Sequence, residues 1–123
     1  MITGIDHVQI AIPRGQEELA RTFYGDLLGM SEIAKPAALR RRGGCWFRSG
    51  AAFLHLGVEE PFTAAAKAHP AFLVDDLDGL QSRLVEAGHE CVRSDGEIEG
   101  VLRFHTYDVF GNRVEFQQLC ELG

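Results

Sequence analysis

The chain has no apolar run long enough to cross a bilayer. Asp6 and His7 break the early apolar stretch, so it carries no signal-peptide pattern and a cytoplasmic location is expected. Cysteine is scarce: Cys45, Cys91 and Cys120 are odd in number and form no CxxC pair. That excludes a disulfide framework and a thiolate zinc site, and predicts reduced thiols. Positive charge is also short, with 12 Lys and Arg against 18 Asp and Glu, a net charge of −6. A surface of that sign is a poor partner for nucleic acid. The one basic cluster, Arg40 to Arg42, is brief. It reads as a solvated loop that could meet an anionic substrate.

What is present is an ordinary globular composition, 46% hydrophobic and 24% charged, over 123 residues. That suits one compact domain with a real core. Ile5 to Ile12 alternates, with Val8, Ile10 and Ile12 on one face and His7, Gln9 and Ala11 on the other. Pro13 and Gly15 end it. The spacing of Leu19, Phe23 and Leu27 predicts a helix from Gln16 to Leu28, with Gly29 beyond its end. Short strands are predicted at Met30 to Ala34, Cys45 to Arg48 and Ala52 to Val58. The second half repeats the plan. A strand from His69 to Val74 precedes a helix capped by Asp75 or Asp76, carrying Leu77, Leu80, Leu84 and Ala87 and ended by Gly88. Strands follow at Glu90 to Arg93, Val101 to Tyr107 and Arg113 to Leu119, the last two joined by the turn Asp108 to Asn112.

The chain therefore reads as an α+β protein of two tandem βαβββ modules, residues 1–60 and 67–123, within one domain. His7 and His69, Gly29 and Gly88, and His55 and Glu115 each recur about sixty residues apart. Glu59 to Ala68 reads as the linker.

The alternation gives each of His7, His55, His69 and Glu115 an apolar opposite face: Leu54, Leu56 and Val58 against His55, Phe72 and Val74 against His69, Val114 and Phe116 against Glu115. One side of each sheet would pack on a helix and the other would face a polar pocket. Any one of these histidines alone would be a hydrogen-bonded strand residue. Together, three imidazoles and a carboxylate at repeated positions are a ligand set for a divalent ion: Zn, Ni, Co, Mn or Fe(II). Gln9, Phe53 and Arg113 share their face and are candidate substrate contacts. In the seventh strand Arg103, His105 and Tyr107 take the same side, opposite Leu102 and Phe104. Glu115 is the candidate base and His105 a second proton carrier. His89 reads as a surface residue. The loops Lys35 to Gly44 and Ser94 to Gly100 have no period that would place them.

The segments DHVQIAI, FYGDLLGM, AHPAFLVDDLDGL and YDVFGNRVEF resemble the vicinal-oxygen-chelate superfamily of glyoxalases, bleomycin-resistance proteins and extradiol dioxygenases. The resemblance covers nearly the whole chain. It implies curled mixed sheets that enclose a metal-binding pocket, with ligands at His7, His55, His69 and Glu115. It also implies a homodimer whose sites are shared: His7 and His55 of one chain would meet His69 and Glu115 of the other, unless the modules pair within one chain. Bacterial glyoxalase I of the short type resembles this chain but carries a carboxylate where His55 stands. Fosfomycin enzymes match at three positions and place a tyrosine where His105 sits. Extradiol dioxygenases use two histidines and one glutamate.

The function this implies is a metal-dependent lyase or isomerase acting on a small carbonyl compound or its thiol adduct. The alternatives are an Fe(II) dioxygenase, a fosfomycin-type thiol transferase and a non-catalytic small-molecule (drug) binding protein. The partner expected is a small molecule, with neither nucleic acid nor membrane.

Overall fold

The computed structural model describes residues 1–120; the last three residues of the expected second module, 121–123, lie outside the described residues. The chain divides into two compact units, Met1–Ala64 and Ala65–Gly123. Each holds one four-stranded mixed sheet, open rather than closed into a barrel, with few helices, so the class is α+β.

In the first unit β1 (Val8–Ile12) leads into α1 (Glu17–Ala20), then β2 (Ser31–Ile33), β3 (Cys45–Ser49) and β4 (Ala52–Val58). The sheet order is β1-β4-β3-β2, with β1 parallel to β4 and the other pairs antiparallel. α1 continues as a wider, π-type helix over Arg21–Leu27, where Leu28 N–H donates to the Phe23 carbonyl at 3.0 Å. The wider winding turns neighbouring residues apart by a smaller angle than an α-helix does. Phe23 and Tyr24 are therefore both buried, with Ala20. Leu19, expected on the buried stripe at regular helical spacing, is 46% exposed. Tyr24 meets Phe47 of β3 at 6.1 Å between ring centroids. Ile10, Ile12, Leu54, Leu56, Cys45 and Phe47 complete this core. Burial pushes the Cys45 thiol up to about 11, which keeps it inert.

A short 3₁₀ helix, Ala37–Arg42, occupies the loop that periodicity could not place. Gly43 and Gly44, both at positive φ, return the chain to β3. A side chain on Gly44 would collide with the Leu56 carbonyl.

In the second unit β5 (Ala71–Leu73), α2 (Leu77–Glu86), β6 (Val92–Arg93), β7 (Val101–Tyr107) and β8 (Arg113–Leu119) repeat the topology, in the order β5-β8-β7-β6 with β5 parallel to β8. Asp76 caps α2, its carboxylate accepting from Gly79 N–H at 3.0 Å. Leu77 and Leu84 are fully buried. On the core face Phe72, Phe116 and Phe104 form one rung across three strands, with centroid separations of 6.1 and 5.3 Å.

Several strands are shorter than expected, β2 stopping at Ser31–Ile33 and β6 at Val92–Arg93, and at the site residues two assignments need correction. His7 and His69 were expected within strands, but β1 begins at Val8 and β5 at Ala71. Pro70 explains the second case: it has no N–H to give to a ladder, although its carbonyl accepts from Glu115 N–H at 3.0 Å.

The β7–β8 turn is held by Asp108, which is 5% exposed. Its carboxylate accepts from Phe110 N–H at 2.9 Å, Asn112 N–H at 2.8 Å and Asn112 Nδ2 at 3.1 Å. The Asn112 side-chain oxygen accepts from Ala65 N–H at 2.9 Å. Removing a buried acceptor with several donors strands those donors. Asp108→Ala is expected to lower stability by about 1–3 kcal/mol. Asp108→Asn, which keeps one acceptor oxygen, should lose less. Urea unfolding of the two variants checks the order.

Candidate functional site

In the first unit the pairing of β1 with β4 and of β4 with β3 sets Gln9, His55 and Trp46 on one rung, opposite the core face. Trp46 and His55 are stacked at 3.7 Å with 3° between planes. His7 covers the other side of His55 at 3.9 Å and 17°. His55 is thus sandwiched and only 8% exposed. Burial and the neighbouring His7 lower its pKa, which favours the neutral imidazole a metal requires. His7 Nδ1 lies 2.9 Å from an Asp6 carboxylate oxygen. A carboxylate can only accept, so Nδ1 carries the proton and Nε2 is left free.

In the second unit His69 repeats that arrangement. Its Nδ1 lies 2.8 Å from the Lys67 carbonyl, which again can only accept. Its Nε2 faces Glu115 Oε1 at 3.0 Å. A neutral ring held this way would point a lone pair at a carboxylate. The contact needs a positive charge on that edge, either a proton on Nε2 or a cation shared by both groups. The other Glu115 oxygen accepts from Gln117 Nε2 at 2.6 Å and Arg103 Nη1 at 3.3 Å. Burial opposes ionisation of Glu115, but the hydrogen bonds from Gln117, His69 and Arg103 outweigh it and its pKa lies below the usual carboxylate value.

Across β7 and β8, His105 pairs with Glu115 and Arg103 with Gln117. Arg113 Nη2 lies 3.3 Å from His105 Nδ1. A guanidinium only donates, so His105 holds its neutral proton on Nε2, the reverse of His7 and His69. Burial, then repulsion from Arg113 and His69, lowers its pKa. Glu115, His105, Arg103 and Arg113 line a hollow of about 200 Å³ that also meets Ser94 and Glu97. The Nε atoms of Arg103 and Arg113 are themselves buried without a hydrogen-bond partner.

The four expected ligands therefore stand as two pairs, one in each unit. Among the described residues no three His, Cys, Asp or Glu side chains form a cluster that would hold a metal ion. Of the expected substrate contacts, Gln9 lines a hollow in the first unit and Arg103 and Arg113 the one in the second. Tyr107 is 38% exposed, edge-on to His105 at 5.7 Å. Phe53 lies under the Arg48 guanidinium at 5.3 Å. His89 is partly exposed, its Nδ1 lying 3.2 Å from the Tyr107 carbonyl.

Sequence reasoning missed Trp46, although its alternation with Cys45 and Phe47 places it on the face of His55. It also missed Lys35, and it read Arg42 only within a brief basic loop that could meet an anionic substrate; both line the first hollow from a segment without a period.

The lowered pKa values fix the sign of the acid response. His55 and His105 are held below their unfolded value of about 6.5, and Glu115 below about 4.3. Each such shift contributes stability that is complete above the unfolded pKa and lost as pH falls through the folded one. The melting temperature of the metal-free protein is expected to fall on acidification below about pH 6.5 and again below about 4.3. A melting temperature that rises between those values would reverse the assignment for the two imidazoles.

The family model of the Glyoxalase/Bleomycin resistance protein/Dioxygenase superfamily matches residues 4–116. A crystal structure from Bacillus anthracis, described as of a glyoxalase family protein, is similar at 49% identity and a TM-score of 0.91, over 97% of each chain. Lactoylglutathione lyase from Agrobacterium tumefaciens is similar in fold, at 18% identity and a TM-score of 0.75 over 96% of this chain and 95% of that one. So is the fosfomycin resistance protein FosX from Listeria monocytogenes, at 16% identity and 0.74 over 96% and 94%. No curated protein gives a significant match. No helix among the described residues is long and apolar enough to cross a membrane. Repeated βαβββ units, the matched family model and a half-identical relative lead to one statement: this chain belongs to the glyoxalase, bleomycin-resistance and dioxygenase superfamily, the vicinal-oxygen-chelate proteins.

Proposed function

We propose that the protein is a metal-dependent lyase or isomerase acting on a small carbonyl compound or its thiol adduct. The observation that carries this reading is the contact of His69 Nε2 with Glu115 Oε1 at 3.0 Å, while Nδ1 is committed to the Lys67 carbonyl. A divalent cation held by the two residues would satisfy both groups at once. His7, with Nδ1 committed to Asp6, offers Nε2 in the same way, and His55 is held neutral beside it.

His7, His55, His69 and Glu115 would hold the ion, the pair from one chain completed by the complementary pair of a second copy in a homodimer. A bound Zn, Ni, Co, Mn or Fe(II) ion supplies Lewis acidity to adjacent oxygens of a substrate. The residues do the rest. Glu115 is ionised and its Oε2 is pinned by Gln117 and Arg103, so Oε1, which faces His69 Nε2, is the oxygen that would turn from that contact to take a proton from a carbon next to a carbonyl. His105, with its proton on Nε2, donates to a developing oxyanion and returns a proton to product. Arg103 and Arg113 line the same hollow and would present their guanidinium groups to substrate oxygens. The protein would act in the cytoplasm, without nucleic acid or membrane.

The sandwiching of His55 between Trp46 and His7 favours a second reading, in which it orients His7 and three residues bind the ion. That set suits the dioxygenase or transferase better. A binding protein without turnover would need neither set.

Trp46 is the chain's one tryptophan, so its emission reports on His55 directly. Titration with Co²⁺ is expected to quench it. His69→Ala and Glu115→Gln should each weaken binding by at least about tenfold, the least that losing even an outer partner of a ligand costs. His55→Ala separates the two readings: retained Co²⁺ affinity selects three ligands. Mixing His7→Ala with Glu115→Gln protein should restore binding in heterodimers, and no restoration would rule out a site shared between chains. The Ni²⁺ or Co²⁺ protein should convert a 2-oxoaldehyde–thiol adduct anaerobically. Catechol cleavage by the Fe²⁺ protein in its place would overturn the lyase assignment.

A further inference from the structure

The first unit has a hollow of about 250 Å³ that the proposed chemistry does not use. Trp46, Leu39, Leu56 and Val58 give it an aromatic and apolar lining. Gln9, Lys35 and Arg42 supply its polar groups, and no carboxylate lines it. In a chain of net charge −6 that is a local reversal of sign. Gln9 and Trp46 also flank His55 on one rung of the sheet, so the hollow adjoins a proposed ligand.

The loop that carries the cations is fixed. The Lys35 ammonium donates to the Gly43 carbonyl. Gly44 N–H donates to Glu17 Oε1 at 3.0 Å. Gly44 sits so close to the Leu56 carbonyl that no side chain fits. Arg40 is turned back on its own loop, its Nε donating to the Lys35 carbonyl at 3.2 Å. Arg42 has no carboxylate partner among the described residues, and its guanidinium is exposed at the hollow. A cationic group with unspent donors in one hollow with an apolar, aromatic lining selects one kind of guest.

We infer that this hollow is a specificity subsite for the anionic end of an amphiphilic substrate, a carboxylate or sulfonate on an apolar or aromatic body. Arg42 holds the anion, Lys35 adds its charge, and Trp46 stacks on the body. The assignment deepens the proposed function by naming a substrate class, and it rests on that reading for its link to catalysis. The binding itself needs no metal.

The test uses the full chain with a chelator present and two probes that differ by one group. These are 8-anilinonaphthalene-1-sulfonate and the neutral N-phenyl-1-naphthylamine. The sulfonate is expected to bind about tenfold more tightly than the neutral probe, as a hydrogen bond to a charged group implies. It should quench Trp46 by energy transfer. Arg42→Ala should bring its affinity down to that of the neutral probe, Arg42→Glu should take it lower still, and Arg42→Lys should restore part of it. Far-ultraviolet dichroism checks that each variant is folded. Equal affinity for the two probes, unchanged sulfonate binding in Arg42→Ala, or binding without quenching of Trp46 would overturn the proposal. If the subsite holds while Co²⁺ binding fails, the metal reading alone falls and the protein is a binder of such anions.

Discussion

In each unit the first strand hydrogen-bonds to the last in parallel, and a tight turn cannot close a parallel pair. The chain must cross over through a helix and return by antiparallel strands. The crossover covers one sheet face and leaves the other bare. It also brings a residue one or two positions ahead of the first strand beside the centre of the last one. His7 therefore meets His55, and His69 meets Glu115, across roughly forty-six to forty-eight positions of sequence. The polar face follows from this pairing.

Within that frame local oxygens decide the chemistry. Asp6 and the Lys67 carbonyl each fix a proton on Nδ1 of the neighbouring imidazole. Arg113 does the opposite to His105. His7 is left with Nε2 as an acceptor, His69 turns Nε2 to the Glu115 carboxylate, and His105 is left as a donor. A carboxylate held by Gln117 and Arg103 stands with them, and under the proposed function the set would divide its duties among holding a cation, taking a proton and donating to a developing charge.

Much of the fold was legible because its strands alternate cleanly. Ala52–Val58, Val101–Tyr107 and Arg113–Leu119 stand where the alternation put them. The turn at Asp108 announced itself through residues that bond their own backbone. Helix spacing misled at Leu19, because the helix widens at Arg21 and turns Tyr24 inward instead. His7 and His69 were placed on strands that start after them, since alternation continues past the last ladder bond and Pro70 cannot donate one. The faces of His55 and Glu115 were legible, but not their depth. Trp46 buries the one and the hydrogen-bond partners of Glu115 enclose the other, both effects of neighbouring strands. Lys35 and Arg42 lay in a segment whose shape depends on paired glycines at positive φ, which leaves no period in sequence.

The knot of hydrogen bonds at Asp108 and Asn112 reaches back to Ala65, whose carbonyl also accepts from Arg113 N–H at 2.9 Å. Entry to the second unit is thereby stitched to its final hairpin, two residues short of Glu115. Glu115 N–H in turn donates to the Pro70 carbonyl, so β8 grips the incoming segment on both sides of His69 and the imidazole is clamped against the carboxylate from two points.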